Sequence, residues 1–377
     1  MIKDHCFSKD WIDKFKSQER YSKLNPPVLE KMIHALYLLQ HMKKQGFEFI
    51  FKGGTSLILI LEEANRFSVD IDIITEHSKE EIEAFLDAIV TNSHFTGWEL
   101  DEGRSYKEGV PKAHYELSYP SNINQQANYI LLDVLFEHCH YPMLQEKPIA
   151  ATWIETSETI NITVPTAEAI AGDKLTAYAP LTTGIPYGKG KETEIIKQLF
   201  DIGHLFDQTQ NFEVIMNSFN IFVKQEIGYR KLNITAHEVL WNIINTSKLI
   251  SLREKNKQEP EKTHFLSLQK GIASFTNFLI SGSFRIEQAI NAGAKAAYLA
   301  AKILTGDVTP ITKYADEDIS TLEIKSPQWN SLNRLKKLQD KSAFFYWYQT
   351  LQLLDLVKEP AVDVVVREHR QARLEEN

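Results

Sequence analysis

Cysteine is scarce in this chain, with two residues, Cys6 and Cys139, among 377. So few thiols, so far apart, give no disulfide framework, and the sequence reads as that of a cytoplasmic protein in a reducing compartment. Long apolar runs are missing too. Stretches such as residues 56–61 and 129–136 fall far short of the ~18 residues needed to span a bilayer. The opening MIKDHCFSKDW is too charged to contain a secretory h-region. Basic charge is not in excess: 42 Lys and Arg against 50 Asp and Glu leave a net charge of −8. That excludes a generally basic, nucleic-acid-coating protein, though not a local basic groove. Internal repeats, low-complexity tracts, a G-x-x-x-x-G-K-[ST] phosphate loop and a G-x-S-x-G nucleophile elbow are all absent.

What is present is an ordinary globular balance, 43% hydrophobic and 24% charged, on a chain long enough to bury its own core. Asn25 before Pro26 and Pro27 predicts a helix start, and Leu29, Met32, Ile33, Leu36 and Leu39 continue at helical spacing until Gly46. Aromatic and β-branched residues at 47–51 predict a strand running into Gly53-Gly54, and residues 57–61 open a helix. Residues 69–74 alternate aspartate with apolar side chains, the period of a strand. Ser78 and Glu81 form a capping box ahead of Ile82, Phe85, Leu86 and Ile89. Further strands are expected at 98–100, 113–119, 129–136 and 160–164. Beyond Thr166 nearly everything reads as helix, with the clearest segments near 167–178, 192–207, 234–250, 264–280, 285–304 and 342–357. Residues 251–264 read as a solvated charged loop, and the tail from Arg367 as frayed.

The strongest constellation is F-K-G-G-T-S-L followed by R-F-S-V-D-I-D-I-I. Gly53 and Gly54 after a strand permit a turn whose backbone N–H groups converge, and the next helix adds its positive end. Such a turn suits phosphate oxygens, with the Ser56 hydroxyl as a further donor. Asp70 and Asp72 lie two apart on a strand, so both carboxylates face one side and repel unless a cation lies between them. Hard Mg²⁺ takes one or two carboxylates plus substrate phosphates. Each part alone also fits an ordinary turn or a surface strand; it is their succession that points to phosphoryl chemistry.

KGGTSL followed by RFSVDID resembles the AbiEii/AbiGii-type nucleotidyltransferase toxins, within the DNA polymerase beta-like superfamily. The resemblance implies an α+β fold: a nucleotidyltransferase-type mixed sheet flanked by helices, then a largely helical C-terminal body. Residues 1–165 would form the nucleotidyltransferase domain, and 166–377 a helical domain completing the active-site cleft. Gly53, Gly54 and Ser56 match the glycine–serine motif, and Asp70 and Asp72 the metal-binding pair. Val69 stands where the family commonly has an acidic residue. A third carboxylate is expected from another strand, and Asp133 in Y-I-L-L-D-V-L-F is the candidate. In so apolar a strand its charge needs a partner. That partner is either a metal, with Asp133 also accepting the proton of an attacking hydroxyl, or a cation such as Arg66. Lys174 matches the family's first lysine, and Lys197 and Asp201 its second element, with Gln198 where many members have aspartate. Lys197 and Asp201 also read as a plain i,i+4 pair.

The implied activity is transfer of a nucleoside monophosphate from an NTP to an acceptor hydroxyl, using Mg²⁺, with two ions expected. The implied biology is the toxin of a type IV toxin–antitoxin (abortive infection) system. An antitoxin would be encoded by an adjacent gene, tRNA would be the acceptor, and no membrane would be involved. A protein or small-molecule acceptor, or a non-catalytic nucleotide-binding module, are the alternatives. Residues 180–191 read as either a lid or a disordered tip. His138 and His140 lack a second pair at zinc spacing and read as structural or surface histidines.

Overall fold

The computed structural model describes residues 1–21, 23–61, 65–105, 110–253 and 258–355. The chain divides into two compact units, Met1–Thr166 with Phe278–Ser283, and Ala167–Asn277 with Phe284–Asn377. The fold is a mixed α/β unit followed by a helical one.

In the first unit, helices α1 (Lys9–Lys16) and α2 (Pro26–Lys44) precede strand β1 (Ile50–Lys52), which passes directly into α3 (Gly53–Ile60). Then follow β2 (Ile71–Thr75), α4 (Lys79–Thr91), β3 (Gly97–Leu100), the short α5 (Glu102–Ser105), β4 (Lys112–Pro120), β5 (Ala127–Phe136), β6 (Leu144–Pro148) and β7 (Asn161–Pro165). The helix expected after Asn25 forms, although the Asn25 side chain makes no capping hydrogen bond and the prolines alone mark the start. The Ser78–Glu81 capping box forms in both directions. Strand β1 is shorter than the aromatic run that precedes it, and β6, an exposed edge strand, had no apolar alternation to announce it.

The seven strands lie in the order β3-β4-β5-β2-β1-β7-β6. Pairing is antiparallel except for β1 with β7 and β2 with β5. Ile71, Ile73, Ile130, Leu132, Val134, Tyr115 and Leu117 are buried. Helices α2 and α4 pack on each other, on β5 and on β3 respectively. Asp72, Asp133 and His114 stand at alternate positions of these strands. The segment before β2 is held to the distant 278–283 stretch, with Phe67 N–H donating to the Phe278 carbonyl at 2.7 Å and Ile280 N–H to Asn65 at 3.1 Å.

The second unit consists of α6 (Ala167–Ala177), α7 (Glu192–Gln208), α8 (Phe212–Tyr229), α9 (Ala236–Leu252), α10 (Glu261–Phe275), α11 (Ile286–Thr305) and α12 (Ser342–Leu354). The alanine-rich α11 is buried over most of its length and packs on α7, α9 and α12, which explains its small side chains. Two expectations are corrected. The charged 251–264 stretch is helical at both ends, since α9 runs to Leu252 and α10 starts at Glu261, while residues 254–257 lie outside the described residues. The helix near 264–280 ends at Phe275. The tail from Arg367 lies outside the described residues.

Candidate active site

Gly53 sits at the junction of β1 and α3 with φ +75°, a backbone conformation that L side chains rarely adopt. A Cβ at Gly53 would lie 2.1 Å from Asp72 Oδ2, so the carboxylate rests directly against the turn. Gly54 follows beneath the Arg66 guanidinium. Ser56 is buried and donates its hydroxyl to the Gly53 carbonyl at 2.9 Å. Its hydroxyl proton is thus engaged inside the turn. Thr55 Oγ1 donates to the Asp70 carbonyl at 2.6 Å, tying the helix start to the entry of β2. Asp70 itself is exposed and lies one residue before the strand proper.

Strand register builds the rest. Lys52 is the cross-strand partner of Asp72, Asp72 of Asp133, and Asp133 of His114. Directly opposed residues share a face, and neighbouring strands lie about 4.8 Å apart. One polar row therefore crosses four strands, with the two aspartates adjacent at its centre. His114 Nδ1 lies 2.5 Å from Asp133 Oδ1, and Arg104 Nη2 lies 3.8 Å from Asp133 Oδ2. The partners at Asp133 are therefore His114 and the Arg104 guanidinium, where the sequence had suggested Arg66. Arg66 instead donates to the Phe67 carbonyl at 3.0 Å.

Lys31 of α2 also enters this region. Its ammonium lies 4.6 Å from the Tyr129 ring centroid. Burial pulls the Lys31 ammonium below the ordinary lysine range, against an opposing pull from Asp70 and Glu116. Neither Lys31 nor His114, Lys52 and Arg104 was singled out from the sequence. A histidine in an alternating strand carries no signal until the strand's partner is known.

Among the described residues, no group of three or more His, Cys, Asp or Glu is gathered as a self-contained metal cage. Two adjacent carboxylates beside a glycine turn nevertheless fit Mg²⁺, which usually takes one or two carboxylates and completes its shell with phosphate oxygens and water. His138 is held by Glu76 at 2.6 Å on the surface, as an ordinary histidine.

In the second unit, Lys174 of α6 is buried and pairs with Asp201 of α7 at 2.7 Å, with 8% and 2% side-chain exposure. Its ammonium also donates to Gln198 Oε1 at 3.2 Å. Gln198 therefore joins the Lys174 cluster. Lys197 reaches Glu194 at 2.8 Å. The 180–191 loop is neither wholly a lid nor a disordered tip. Leu181 N–H donates to Asn242 Oδ1 at 2.9 Å, Thr183 Oγ1 to the Thr176 carbonyl at 2.8 Å, and Arg230 to the Gly184 carbonyl at 3.0 Å. Only residues 188–191 stand exposed.

A central mixed sheet with paired aspartates at a glycine turn defines a nucleotidyltransferase-like unit, and comparison with known proteins gives the class. The family described as "Nucleotidyl transferase AbiEii toxin, Type IV TA system" matches residues 38–267, more than half of the chain and all nine candidate residues. The chain belongs to this family. No curated protein matches it. Among solved structures it is similar to JHP933 from Helicobacter pylori, at 13% identity and TM-score 0.41, covering 74% of this chain and 93% of that one. It is also similar to a protein described as a candidate nucleotidyltransferase from H. pylori, at 13% identity and TM-score 0.42, covering 73% and 94%. Superpositions so loose assign no residue a role. Among the described residues no helix is long and apolar enough to cross a membrane.

Proposed function

We propose that this chain is a Mg²⁺-dependent cytoplasmic nucleotidyltransferase that moves a nucleoside monophosphate from an NTP to the 3′ end of tRNA. In this reading it is the toxin of an abortive-infection toxin–antitoxin pair, with its antitoxin encoded alongside. The observation that carries the reading is the row Lys52–Asp72–Asp133–His114 beside the Gly53 turn, in a chain of this family.

Asp70, Asp72 and Asp133 would hold two Mg²⁺ ions, with substrate phosphates and water completing the shells. When bound, such ions stabilise charge on the attacking and leaving oxygens. The converging N–H groups of Gly53 and Gly54, at the positive end of α3, receive the distal phosphates, and Ser56 keeps the turn in shape. Asp133 accepts the proton of the attacking hydroxyl. That oxygen bonds to the α-phosphorus, the bond from the α-phosphorus to the bridging oxygen breaks, and pyrophosphate leaves. Lys174 supplies a compact cation for phosphate charge, Asp201 holds that cation, and Lys197 adds a further positive group for the nucleotide. The remaining work is positioning.

The test is incubation of the protein with each labelled NTP, Mg²⁺ and whole-cell lysate. Label is expected in tRNA, with transfer abolished by EDTA and by Asp70→Asn or Asp72→Asn, together with toxicity. Full activity in either variant would overturn the metal assignment. The net charge of −8 suits a protein or small-molecule acceptor better than a large RNA. Label in those fractions would move the acceptor accordingly. Tight NTP binding with no labelled product anywhere would identify a non-catalytic module.

A further inference from the structure

We infer that His114 is the positioning residue that fixes the Asp133 carboxylate, with Lys112 behind it; this rests on the reading of Asp133 as proton acceptor. His114 is buried on β4 and stands opposite Asp133 in the strand register. Its two ring nitrogens are both engaged, Nδ1 with Asp133 Oδ1 at 2.5 Å and Nε2 with Lys112 Nζ at 3.0 Å. A carboxylate can only accept and an ammonium can only donate, so the contacts select one arrangement. Nδ1 carries the hydrogen and gives it to Asp133, while Nε2 accepts from Lys112.

The hydrogen bonds therefore run one way, from Lys112 through His114 to Asp133. The ring cannot drift, because its backbone is pinned as well. His114 N–H donates to Ser105 Oγ at 2.9 Å, and its carbonyl accepts from Asp101 N–H at 2.8 Å. Asp133 Oδ1 is fixed by this chain. Oδ2, 3.8 Å from Arg104, is too far from that guanidinium for a hydrogen bond, which leaves it as the oxygen to receive the proton. Fixing one oxygen of a general base sets the direction in which the other receives its proton, and small misplacement of such a group is costly in rate.

The decisive comparison uses His114→Leu, which removes the donor, and His114→Asn, whose side-chain NH₂ can occupy the Nδ1 position. His114→Leu is expected to lower kcat about tenfold or more, a loss of at least one decade in rate, while KM for the NTP changes less than about twofold. His114→Asn should recover most of the loss. Independently of turnover, ¹⁵N-histidine NMR of the wild-type protein should show the His114 hydrogen on Nδ1, with its signal identified by its absence in His114→Asn and shifted in Asp133→Asn. Unchanged kcat in His114→Leu, equal loss in both variants, or an Nε2–H ring would each overturn the inference while leaving nucleotidyl transfer intact. Absence of any turnover by the wild-type protein would instead bring down the functional reading, and the inference with it.

Discussion

Gly53 joins a left-handed backbone to a carboxylate lying against its Cα, so two separate penalties fall on any side chain placed there. Gly53→Ala should lose roughly 1–2 kcal/mol from the unfavourable φ, and its Cβ should push Asp72 out of the row. Gly54 has no such φ, and a Cβ there would meet the ends of two side chains rather than backbone, Arg66 Nη2 at 2.5 Å and Ser68 Oγ at 2.9 Å. We expect Gly53→Ala to lose nucleotidyl transfer by more than an order of magnitude while Gly54→Ala keeps most of it, with urea midpoints reporting the stability cost. Equal activities would mean that the turn does not set Asp72. The glycines and Asp72 were legible as a pattern because their neighbours in space are also close in sequence. His114 was not, because its place beside Asp133 depends on the β4–β5 register.

Among elements, α6 and α7 carry the second cluster, and its energetics separate structure from chemistry. Removing one partner from a buried ion pair leaves an uncompensated charge, whereas replacing both with apolar groups is often neutral. Asp201→Ala should therefore destabilise the protein by roughly 3–5 kcal/mol. The double change Lys174→Met with Asp201→Leu should restore much of that stability yet remain inactive. Thermal or urea unfolding beside a transfer assay makes the distinction. A double variant with full activity would remove Lys174 from the machinery. Helical spacing made these two helices readable, since an amphipathic period survives whatever the partners are. The edge strand β6 was not readable, because exposed on alternate residues and ending in Lys147-Pro148 it needs no apolar pattern to pair with β7.

For the molecule as a whole, acid should act first through two histidines of the sheet unit. His34 lies in a cluster of aromatic rings, stacked on Tyr119 with ring centroids 3.7 Å apart, and its Nδ1 is 2.9 Å from the Glu30 carbonyl. Burial pushes both His34 and His41 from the ordinary value of 6.5 down to about 4. A depressed pKa in the folded state means that the unfolded chain binds more protons between these values. Stability should thus be fully present above about pH 6.5 and decline as the pH falls towards 4. For His34 alone the linkage amounts to about 2 kcal/mol lost at pH 5 relative to pH 7.5. Carboxylates held below their usual range by hydrogen bonds, such as Glu81 at its capping box and Asp318 at Ser320, add their losses only at lower pH. His34→Phe, similar in size and unable to charge, should flatten the decline between pH 6.5 and 4 in urea-unfolding midpoints, whatever it costs at neutral pH through the lost bond to Glu30. An unchanged slope in that variant would show that the ring is already protonated inside the fold, and the stacked aromatic cluster would then have to accommodate a buried cation.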